Sequence, residues 1–321
     1  MRTRDNVRAA LVEAIGAEPR VAVRRAPVAG AGEEVVNVIA VALNPVDLAI
    51  SGGYFYAGCP DVPYVPGHEA VVQRHSGGLA YVSGGGKGIA SDGMLAERIA
   101  VSTSLLIDLP AGADPGVAVA LGTAGLAGWL SVEWRARVRT GDVVVVLGAT
   151  GSVGKVALQA ARTCGASRTV AVARSQSRLA ADDVLADAMV AIGDRLAERV
   201  LEAAGTAPTV LIDTTWGPNL ASLLSILGPY ARIVQLGASA GPTADIPSAP
   251  LRGKQIDLLG FSNFGVPRAE RLAAYRRMVG MTLEGSLVLG VERYPFECVA
   301  DAWRRAATGE AKVVIEVGGI W

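Results

Sequence analysis

Residues 142–179 restrict the possible folds of this chain more than any other segment. Val143–Leu147 is an uninterrupted apolar run, which is typical of a strand buried on both faces of a parallel sheet. A glycine turn over 148–154 follows it, and then a helix pattern of small residues that ends near Cys164. Residues 169–173 form a second apolar run. Strand, glycine turn, helix and strand within about 30 residues predict one βαβ unit of a nucleotide-binding sheet.

The glycine turn carries the dinucleotide fingerprint. Ala149 is expected to start the tight turn, Gly151 to let a pyrophosphate approach the backbone, and Gly154 to let the helix lie close to the strand. Backbone N–H groups at the helix start then face the phosphates. The predicted ligands here are Ala149, Thr150, Gly151, Ser152, Val153 and Gly154. The alternative, a surface turn between unrelated elements, does not explain the strands on both sides.

The end of the second strand indicates which nucleotide is bound. NAD-binding chains place a carboxylate on the ribose roughly 20 residues past the glycines. Residues 173–178 read Ala-Arg-Ser-Gln-Ser-Arg and contain no carboxylate. Arg174, Ser175 and Arg178 suit a 2′-phosphate instead, because guanidinium groups bind phosphate in a bidentate way. We therefore predict NADPH; in the alternative, Arg178 is a solvated helix residue and only Arg174 contacts the phosphate.

Length and composition narrow the class of protein. The 321 residues suggest about two domains, and 51% hydrophobic residues allow a large core. Thirty basic and thirty acidic residues cancel, which argues against a nucleic-acid or membrane-surface partner. The three cysteines form no CxxC pair, so neither a disulfide framework nor a cysteine zinc lobe is indicated. No apolar signal segment follows Met1, and we expect a soluble cytoplasmic protein.

One uncharged stretch, residues 115–132, is a candidate membrane span by composition. It is rich in Gly and Ala and includes Thr123 and Ser131, and it is short for a span of about 20 strongly apolar residues. The pattern favours a helix buried inside the protein.

The chain divides by pattern into three parts. Residues 1–112 are β-rich and interrupted by Gly and Pro turns, and 113–261 alternate strand and helix patterns, as a doubly wound sheet does. The later predicted elements are strands at 210–213, 232–237 and 256–260, helices at 269–283 and 297–307, and a closing strand at 312–317.

An ordered set of motifs resembles the medium-chain dehydrogenase/reductase superfamily, in its zinc-independent quinone oxidoreductase branch. The motifs are Asn44-Pro45-Val46-Asp47 (N-P-x-D), Pro66-Gly67-His68-Glu69 (P-G-x-E), Gly93-Met94-Leu95-Ala96-Glu97 (G-x-x-A-E) and Lys312-Val313-Val314-Ile315 (the closing strand). No single motif is specific, but the set extends through nearly the whole chain.

The resemblance implies an α/β architecture. A Rossmann doubly wound parallel sheet, formed by 113–261, is inserted into a GroES-like β-rich catalytic domain formed by 1–112 and 262–321. It also implies a nicotinamide in the cleft and a homodimer in which the nucleotide sheets pair edge to edge. We place residues 256–260 at that edge.

The resemblance also bears on metal. Zinc-dependent relatives bind the metal with a cysteine, a histidine and usually a second cysteine. Asn44 stands at the first position, His68 fills the second, and 118–122 offer no ligand, so we expect no metal. His68 is then either a hydrogen-bonded histidine of the cleft wall or a catalytic group. His75 is expected on a surface loop.

Without a Lewis acid, the site suits hydride transfer to an electron-poor small-molecule acceptor. The catalytic candidates are Asn44, Tyr54, His68 and Thr123. For Asn44 the alternative is a plain turn, for Tyr54 it is packing over a loop, and Asp47 is expected to be structural. Further cofactor ligands are predicted at strand ends and near the nicotinamide: Asp213, Thr214, Gly237, Phe261, Asn263 and Lys312. Lys312 has a solvated side chain as its alternative.

The sequence thus predicts an NADPH-dependent reductase of a quinone or an α,β-unsaturated carbonyl. Two other functions stay open at this point. One is a reductase or dehydrogenase of a biosynthetic intermediate, and the other is a non-catalytic NADPH-binding redox sensor.

Overall fold

The computed structural model describes residues 5–56, 58–180 and 184–318. Its strands are β1 (Asn6–Leu11), β2 (Arg20–Arg25), β3 (Glu33–Ala42), β4 (Glu69–Gln73), β5 (Leu79–Ser83), β6 (Arg98–Ser102), β7 (Ile107–Asp108), β8 (Val143–Leu147), β9 (Arg168–Ala173), β10 (Ala188–Ala191), β11 (Val210–Asp213), β12 (Arg232–Gln235), β13 (Asp257–Gly260), β14 (Glu292–Pro295) and β15 (Val313–Glu316). Its α-helices are α1 (Pro45–Ser51), α2 (Pro115–Ala120), α3 (Leu126–Leu130), α4 (Ser152–Thr163), α5 (Gln176–Leu179), α6 (Leu196–Ala204), α7 (Pro218–Leu223), α8 (Ser248–Lys254), α9 (Arg268–Leu283) and α10 (Val299–Ala307).

The chain forms two compact units. The first contains the chain up to Thr123, Val279–Ser286 and the residues from Gly290 onward, and the second contains Ala124–Met278 and Leu287–Leu289. The predicted domain bounds of 112 and 262 differ from these. Residues 113–123 lie with the first unit because α2 packs on β3 and β4.

The second unit also keeps residues 262–278, which were predicted to belong to the catalytic domain. The guanidinium of Arg277 pairs with the carboxylate of Glu133, and the ring of Phe261 lies 6.3 Å from that of Trp134, centroid to centroid. These contacts hold the first part of α9 against the unit that contains the parallel sheet.

A six-stranded parallel sheet with the order β10-β9-β8-β11-β12-β13 forms the centre of the second unit. The chain enters at β8, builds outward to β10, and returns to β11 on the other side of β8. This is the strand order of a doubly wound Rossmann sheet, whose ligands bind where the order reverses. The predicted β8, α4 and β9 are confirmed, and β13 is the edge strand expected at 256–260.

The first unit is β-rich, as predicted. Its seven-stranded sheet has the order β14-β15-β3-β4-β5-β7, and β6 also pairs with β3. The ten-residue β3 is the common partner, because it pairs antiparallel with β4, β6 and β15. The predicted closing strand is therefore β15, which returns to the sheet that β3 began.

Among the described residues, one helical stretch, Pro115–Ala136, is long and apolar enough to cross a membrane by length and composition. Its most apolar window is 78% buried within the protein. This confirms the prediction of a buried helix at 115–132, and a stretch of this kind is weak evidence for a membrane span.

Candidate active site

The glycine turn of the second unit has the geometry of a phosphate cradle. Gly148 has a φ of +84°, and a Cβ on Gly154 would meet the Gly148 oxygen at 2.5 Å and the Ala149 Cα at 2.7 Å. A Cβ on Gly151 would meet only the Gly148 oxygen, at 3.5 Å. The space above Gly151, at the start of α4, is therefore open, and amides at a helix start bind phosphates.

One detail of the predicted turn was wrong. Ala149 was expected to start the tight turn, but Gly148 is the residue with the left-handed backbone. A Cβ at Gly148 would lie 2.0 Å from Thr214 Oγ1, so both its backbone and its surroundings require glycine. Ala149 is buried beside it. The predicted ligands Thr150, Ser152 and Val153 are half-buried around the open space.

The loop after β9 carries the residues predicted to bind a 2′-phosphate. Arg174 is exposed, and Ser175 and Arg178 are half-buried. Ser175 Oγ accepts a hydrogen bond from the Arg178 amide and so caps α5. A guanidinium nitrogen of Arg178 lies 3.5 Å from the Thr150 oxygen. The structure thus brings Arg178 to the glycine turn, while the phosphate contacts of all three residues stay predictions.

Asp213 ends β11, and its carboxylate closes the next turn. It is fully buried and accepts hydrogen bonds from the Thr215 amide at 2.8 Å and the Trp216 amide at 3.0 Å. Burial raises the pKa of Asp213, and these amides oppose the rise. The Asp213 carboxylate therefore fixes the conformation of residues 213–216. This turn places Thr214 Oγ1 beside Gly148.

Gly237 follows β12 and packs on the same loop. A Cβ there would lie 2.3 Å from the Thr214 oxygen, so glycine lets the two strand ends come together. After β13, Phe261 is half-buried and Asn263 is buried. The structure thus places Thr214 and Gly237 together at the carboxyl edge of the sheet. The predicted nicotinamide contacts of these residues are not tested by any contact in the structure.

The first unit holds a second cluster, here called the polar network. Three of its seven members lie in α1, β4 and β5, and three more directly precede α1, β4 and β15. The seventh lies in the helical stretch Pro115–Ala136. The members are Asn44, Asp47, His68, Glu69, Tyr81, Thr123 and Lys312. Thr123 is half-buried and the other six are buried.

Glu69 is the most connected member. Its Oε2 accepts from the Tyr81 hydroxyl at 2.8 Å and from the Thr123 amide at 2.7 Å. The Thr123 hydroxyl lies 3.0 Å from the same oxygen. Its Oε1 accepts from Asn44 Nδ2 at 2.7 Å.

Asn44 links Glu69 to Lys312. Its backbone is extended, with φ −127° and ψ 159°, as expected for a residue before proline. The Lys312 ammonium donates to Asn44 Oδ1 at 2.6 Å and to the Leu43 oxygen at 3.2 Å. Lys312 is 6% exposed, so the alternative of a solvated lysine is wrong. Its predicted contact with cofactor phosphates stays a prediction.

His68 connects Asp47 with Thr123. Its Nδ1 lies 2.9 Å from Asp47 Oδ1, and its Nε2 lies 2.7 Å from Thr123 Oγ1. Asp47 Oδ2 accepts from the Asn44 amide at 2.9 Å, in keeping with the structural role expected for Asp47. Burial lowers the pKa of His68, but the charge and hydrogen bond of Asp47 outweigh it, so the pKa of His68 is raised.

The structure therefore brings together three of the four predicted catalytic residues. Tyr54 is separate: it is 72% exposed, and a Cβ on Gly52 would lie 2.3 Å from its ring. This favours the alternative of packing over a loop. His75 is exposed on a loop, as predicted.

Two members of the polar network were not predicted as site residues. Glu69 was noted only within its motif, and Tyr81 was not singled out. The motif Pro66-Gly67-His68-Glu69 was the available signal for Glu69. Tyr81 lies in β5, where only the register of β4 with β5 brings it near Glu69, and nothing in the sequence fixes that register.

The chain is similar to known oxidoreductases. The family described as zinc-binding dehydrogenase matches residues 152–279. The quinone oxidoreductase of Pongo abelii is 25% identical over 281 residues, covering 84% of each chain. The probable acrylyl-CoA reductase AcuI of Escherichia coli (strain K12) is 29% identical over 260 residues, covering 77% of this chain and 79% of that protein.

Solved structures agree. The quinone oxidoreductase from Thermus thermophilus, also solved as its complex with NADPH, superposes with a TM-score of 0.82. It is 27% identical, and the match covers 97% of this chain and 100% of that one. Together these similarities support the medium-chain dehydrogenase/reductase superfamily, in its quinone oxidoreductase branch. They also support an oxidoreductase with a nicotinamide cofactor.

The chain also matches part of much longer proteins. It is 25% identical to the mycocerosic acid synthase-like polyketide synthase of Mycobacterium tuberculosis (strain ATCC 25618 / H37Rv) over 307 residues. The match covers 90% of this chain and 14% of that protein. The chain therefore spans a small part of this relative's length.

The polar network does not fit the zinc site that the family name suggests. No group of three or more His, Cys, Asp and Glu side chains in the described part of the chain is arranged to hold a metal ion. Both side-chain atoms of Asn44 and both ring nitrogens of His68 already have protein partners. A buried ammonium also lies 2.6 Å from Asn44 Oδ1 and would repel a cation there.

Proposed function

We propose that this chain is a zinc-independent, NADPH-dependent oxidoreductase that transfers a hydride to a quinone or an α,β-unsaturated carbonyl. The observation that carries the proposal is the open cradle above Gly151, followed after β9 by Arg174 and Arg178 instead of a carboxylate. The family supports the hydride chemistry, and the arginines favour the phosphorylated cofactor.

The residues of the cradle fit a dinucleotide. The amides at the start of α4 would bind the pyrophosphate, and Arg178, already near the Thr150 oxygen, would close over the adenosine side. The exposed Arg174 would contact the 2′-phosphate. When bound, the cofactor supplies the hydride. The chain's own residues orient the cofactor, and residues 173–178 offer no carboxylate to the ribose hydroxyls of NAD.

The poor fit of the polar network to a metal limits the acceptor. An unactivated ketone must be polarised by a metal ion or a strong acid before it accepts a hydride, whereas a quinone, an enone or an enoyl thioester is already electron-poor. Similarity to a quinone oxidoreductase and to the acrylyl-CoA reductase AcuI supports both types of acceptor. The second candidate, a reductase of a biosynthetic intermediate, is favoured by the polyketide synthase match over 90% of this chain.

The function can be tested by following NADPH oxidation with a benzoquinone, a simple enone and acryloyl-CoA. We expect turnover with at least one of them and a preference for NADPH over NADH. Arg174→Ala should reduce that preference by about tenfold, equivalent to one charge-assisted contact of about 1.4 kcal/mol. The variant Arg304→Ala, which removes an exposed arginine of α10 in the first unit, serves as the control.

The results separate the candidates. Turnover restricted to an enoyl thioester would favour the biosynthetic reductase. Tight NADPH binding without turnover on any acceptor would contradict the proposal and favour a redox sensor. An unchanged preference in Arg174→Ala would contradict the assignment of the 2′-phosphate site.

We also propose that the protein is a cytoplasmic homodimer acting on small molecules, with no nucleic-acid or membrane partner. The balanced charge supports this, as does the edge position of β13, where Leu258 is 40% exposed. An unpaired strand edge favours pairing with a second copy. Light scattering should give a dimer mass at micromolar concentration, and Leu258→Lys should shift it toward the monomer; a monomeric wild type would contradict the proposal.

A further inference from the structure

Thr123 is the least buried member of the polar network. The other six members are 6% exposed or less, whereas Thr123 is half-buried. A proton that leaves this network for a bound molecule therefore has its shortest route through Thr123 Oγ1. Behind that oxygen lie His68 Nε2 at 2.7 Å and then Asp47, 2.9 Å from His68 Nδ1.

The hydroxyl of Thr123 has one proton and two neighbours that can accept it. If it donates to Glu69 Oε2, at 3.0 Å, its oxygen can accept from His68 Nε2. Both ring nitrogens of His68 then donate, one to Thr123 and one to Asp47. In this arrangement every contact has one donor and one acceptor.

The formal charges also balance in that arrangement. Asp47 and Glu69 contribute two negative charges, and the imidazolium of His68 and the ammonium of Lys312 contribute two positive charges. Buried charges are tolerated when they are paired and hydrogen-bonded. With a neutral His68, the buried network would instead retain one uncompensated negative charge.

We propose that Thr123 is the proton donor of the reaction and that His68, held by Asp47, resupplies its proton. This inference rests on the proposed function. The hydride adds to the β-carbon of the acceptor, and the electron pair of the double bond moves to the carbonyl oxygen. The Thr123 hydroxyl gives up its hydrogen bond to Glu69 Oε2 and turns to the acceptor, and its Oγ–H bond breaks as the proton passes to the α-carbon, or to the oxygen of a quinone. The Nε2–H bond of His68 breaks as its proton passes to Thr123 Oγ1.

After the step, His68 is a neutral imidazole that still donates from Nδ1 to Asp47, and Thr123 is again a hydroxyl. The reduced product is neutral, and solvent later returns one proton to His68 through the same hydroxyl. His68 and Asp47 do not touch the acceptor in this scheme, so they are positioning residues. Thr123 alone is catalytic.

Charged groups from three elements act on His68: Asp47 from α1, Glu69 from β4 and Lys312 before β15. The hydroxyl of Tyr81, from β5, donates to Glu69. Asp47 and Glu69 raise the pKa of His68, and burial and Lys312 lower it, with a net rise above 6.5. The rise in the pKa of His68 favours its protonated form, in keeping with the two donors that the hydrogen-bond geometry requires. We expect kcat to fall on the alkaline side, as pH rises through that raised pKa.

The first experiment compares Thr123→Val with Thr123→Ser in the NADPH oxidation assay, using whichever acceptor the wild type reduces. Valine has nearly the same shape and keeps the backbone amide bond to Glu69, but it has no hydroxyl. We expect kcat to fall about 100-fold, with little change in KM and with loss of the alkaline limb. Serine should restore most of kcat and the limb. An unchanged kcat in Thr123→Val would overturn the proposal.

The second experiment needs no turnover. The chain has two histidines, so the side-chain ¹⁵N spectrum of histidine-labelled wild type has two sets of signals, which His75→Gln assigns. We expect both ring nitrogens of His68 to carry protons at pH 7. An unprotonated Nε2 would overturn the relay, because His68 would then have no proton to give.

The two proposals fail in different ways. A wild type that reduces no acceptor contradicts the proposed function, while the spectrum still reports on His68. A wild type that turns over normally, with an equally active Thr123→Val, contradicts only the relay. Thermal unfolding of Thr123→Val and Thr123→Ser shows whether a loss of kcat comes from unfolding instead. If Thr123→Val is unfolded, the kcat of Thr123→Ser and the protonation of His68 in the wild-type spectrum test the relay.

Discussion

Glu69 Oε2 illustrates how much one atom can organise. It accepts from Tyr81 on the neighbouring strand and from both the amide and hydroxyl of Thr123. The partners lie 12 and 54 residues away along the chain. Because a fully hydrogen-bonded buried carboxylate is costly to disturb, this atom fixes where the hydroxyl of Thr123 can be.

Tyr64 shows the opposite situation. Its hydroxyl is, among the described residues, the buried side-chain polar atom that lacks a hydrogen-bond partner. It lies in a small apolar cluster with Val12 and Ile50. Burial raises the pKa of the Tyr64 phenol well above its usual value.

We expect Tyr64→Phe to leave the free energy of unfolding unchanged or to raise it by up to about 1 kcal/mol. The reason is that a desolvated hydroxyl without a partner costs free energy in the folded state. Chemical denaturation measures the change, and Tyr81→Phe, which removes a hydroxyl that binds Glu69, should instead destabilise by about 1 kcal/mol. A decrease of more than about 1 kcal/mol in the free energy of unfolding of Tyr64→Phe would contradict this prediction and would mean that the Tyr64 hydroxyl binds a buried water.

The residue-scale prediction from sequence succeeded in part. Asn44, His68 and Thr123 were named from motifs, and they do lie together. Tyr81 and the buried position of Lys312 could not be foreseen, because both depend on which strands pair. Gly148 could not be separated from Ala149 as the start of the turn, since the sequence does not give φ.

At the scale of elements, the contact between β8 and α4 decides whether the phosphate cradle exists. Gly154 sits where a side chain would strike the backbone of Gly148 and Ala149, at 2.5 Å and 2.7 Å. Gly151, three residues earlier, has open space. The two glycines therefore serve different purposes, one for packing and one for ligand access.

Gly154→Ala and Gly151→Ala test this difference as a matched pair. We expect Gly154→Ala to lower the free energy of unfolding by about 2 kcal/mol, because backbone cannot give way to the added methyl. Gly151→Ala should change it by less than about 0.5 kcal/mol and yet weaken NADPH binding at least tenfold. Thermal unfolding and calorimetric titration supply the two measurements. Equal effects of both changes on stability would contradict the assignment.

The same local order explains why the parallel sheet was the most predictable part of the fold. Its βαβ unit is contiguous in sequence, so β8, α4 and β9 could be placed from apolar runs alone. The compact units differ from the predicted bounds at residues 113–123 and 262–278, whose partners, β3 for α2 and Glu133 for Arg277, are distant in the chain.

At the scale of the whole molecule, the balance of positive and negative charge extends from the surface to the interior. The sequence has thirty basic and thirty acidic residues, and in the polar network His68 contacts Asp47 while Asn44 links Lys312 to Glu69. An internal ammonium therefore supplies positive charge in a region where zinc-dependent relatives bind their metal.

We expect purified protein to contain far less than one zinc per chain and to keep its activity and melting temperature after treatment with a chelator. The physical reason is that Asn44 and His68 already use their polar side-chain atoms in contacts with the protein. Elemental analysis and thermal unfolding before and after chelation measure this. Zinc at one equivalent, lost together with activity, would contradict it.

Gly122, the residue before Thr123, leaves the space that the side chains of Glu69 and Tyr81 occupy. A methyl group there would overlap Glu69 Oε2 at 2.1 Å and the Tyr81 hydroxyl at 2.3 Å. A larger residue at position 122 therefore cannot be accommodated while Glu69 stays in place. Conversely, Gly122→Ala would displace Glu69 without removing any hydrogen-bonding group from the polar network.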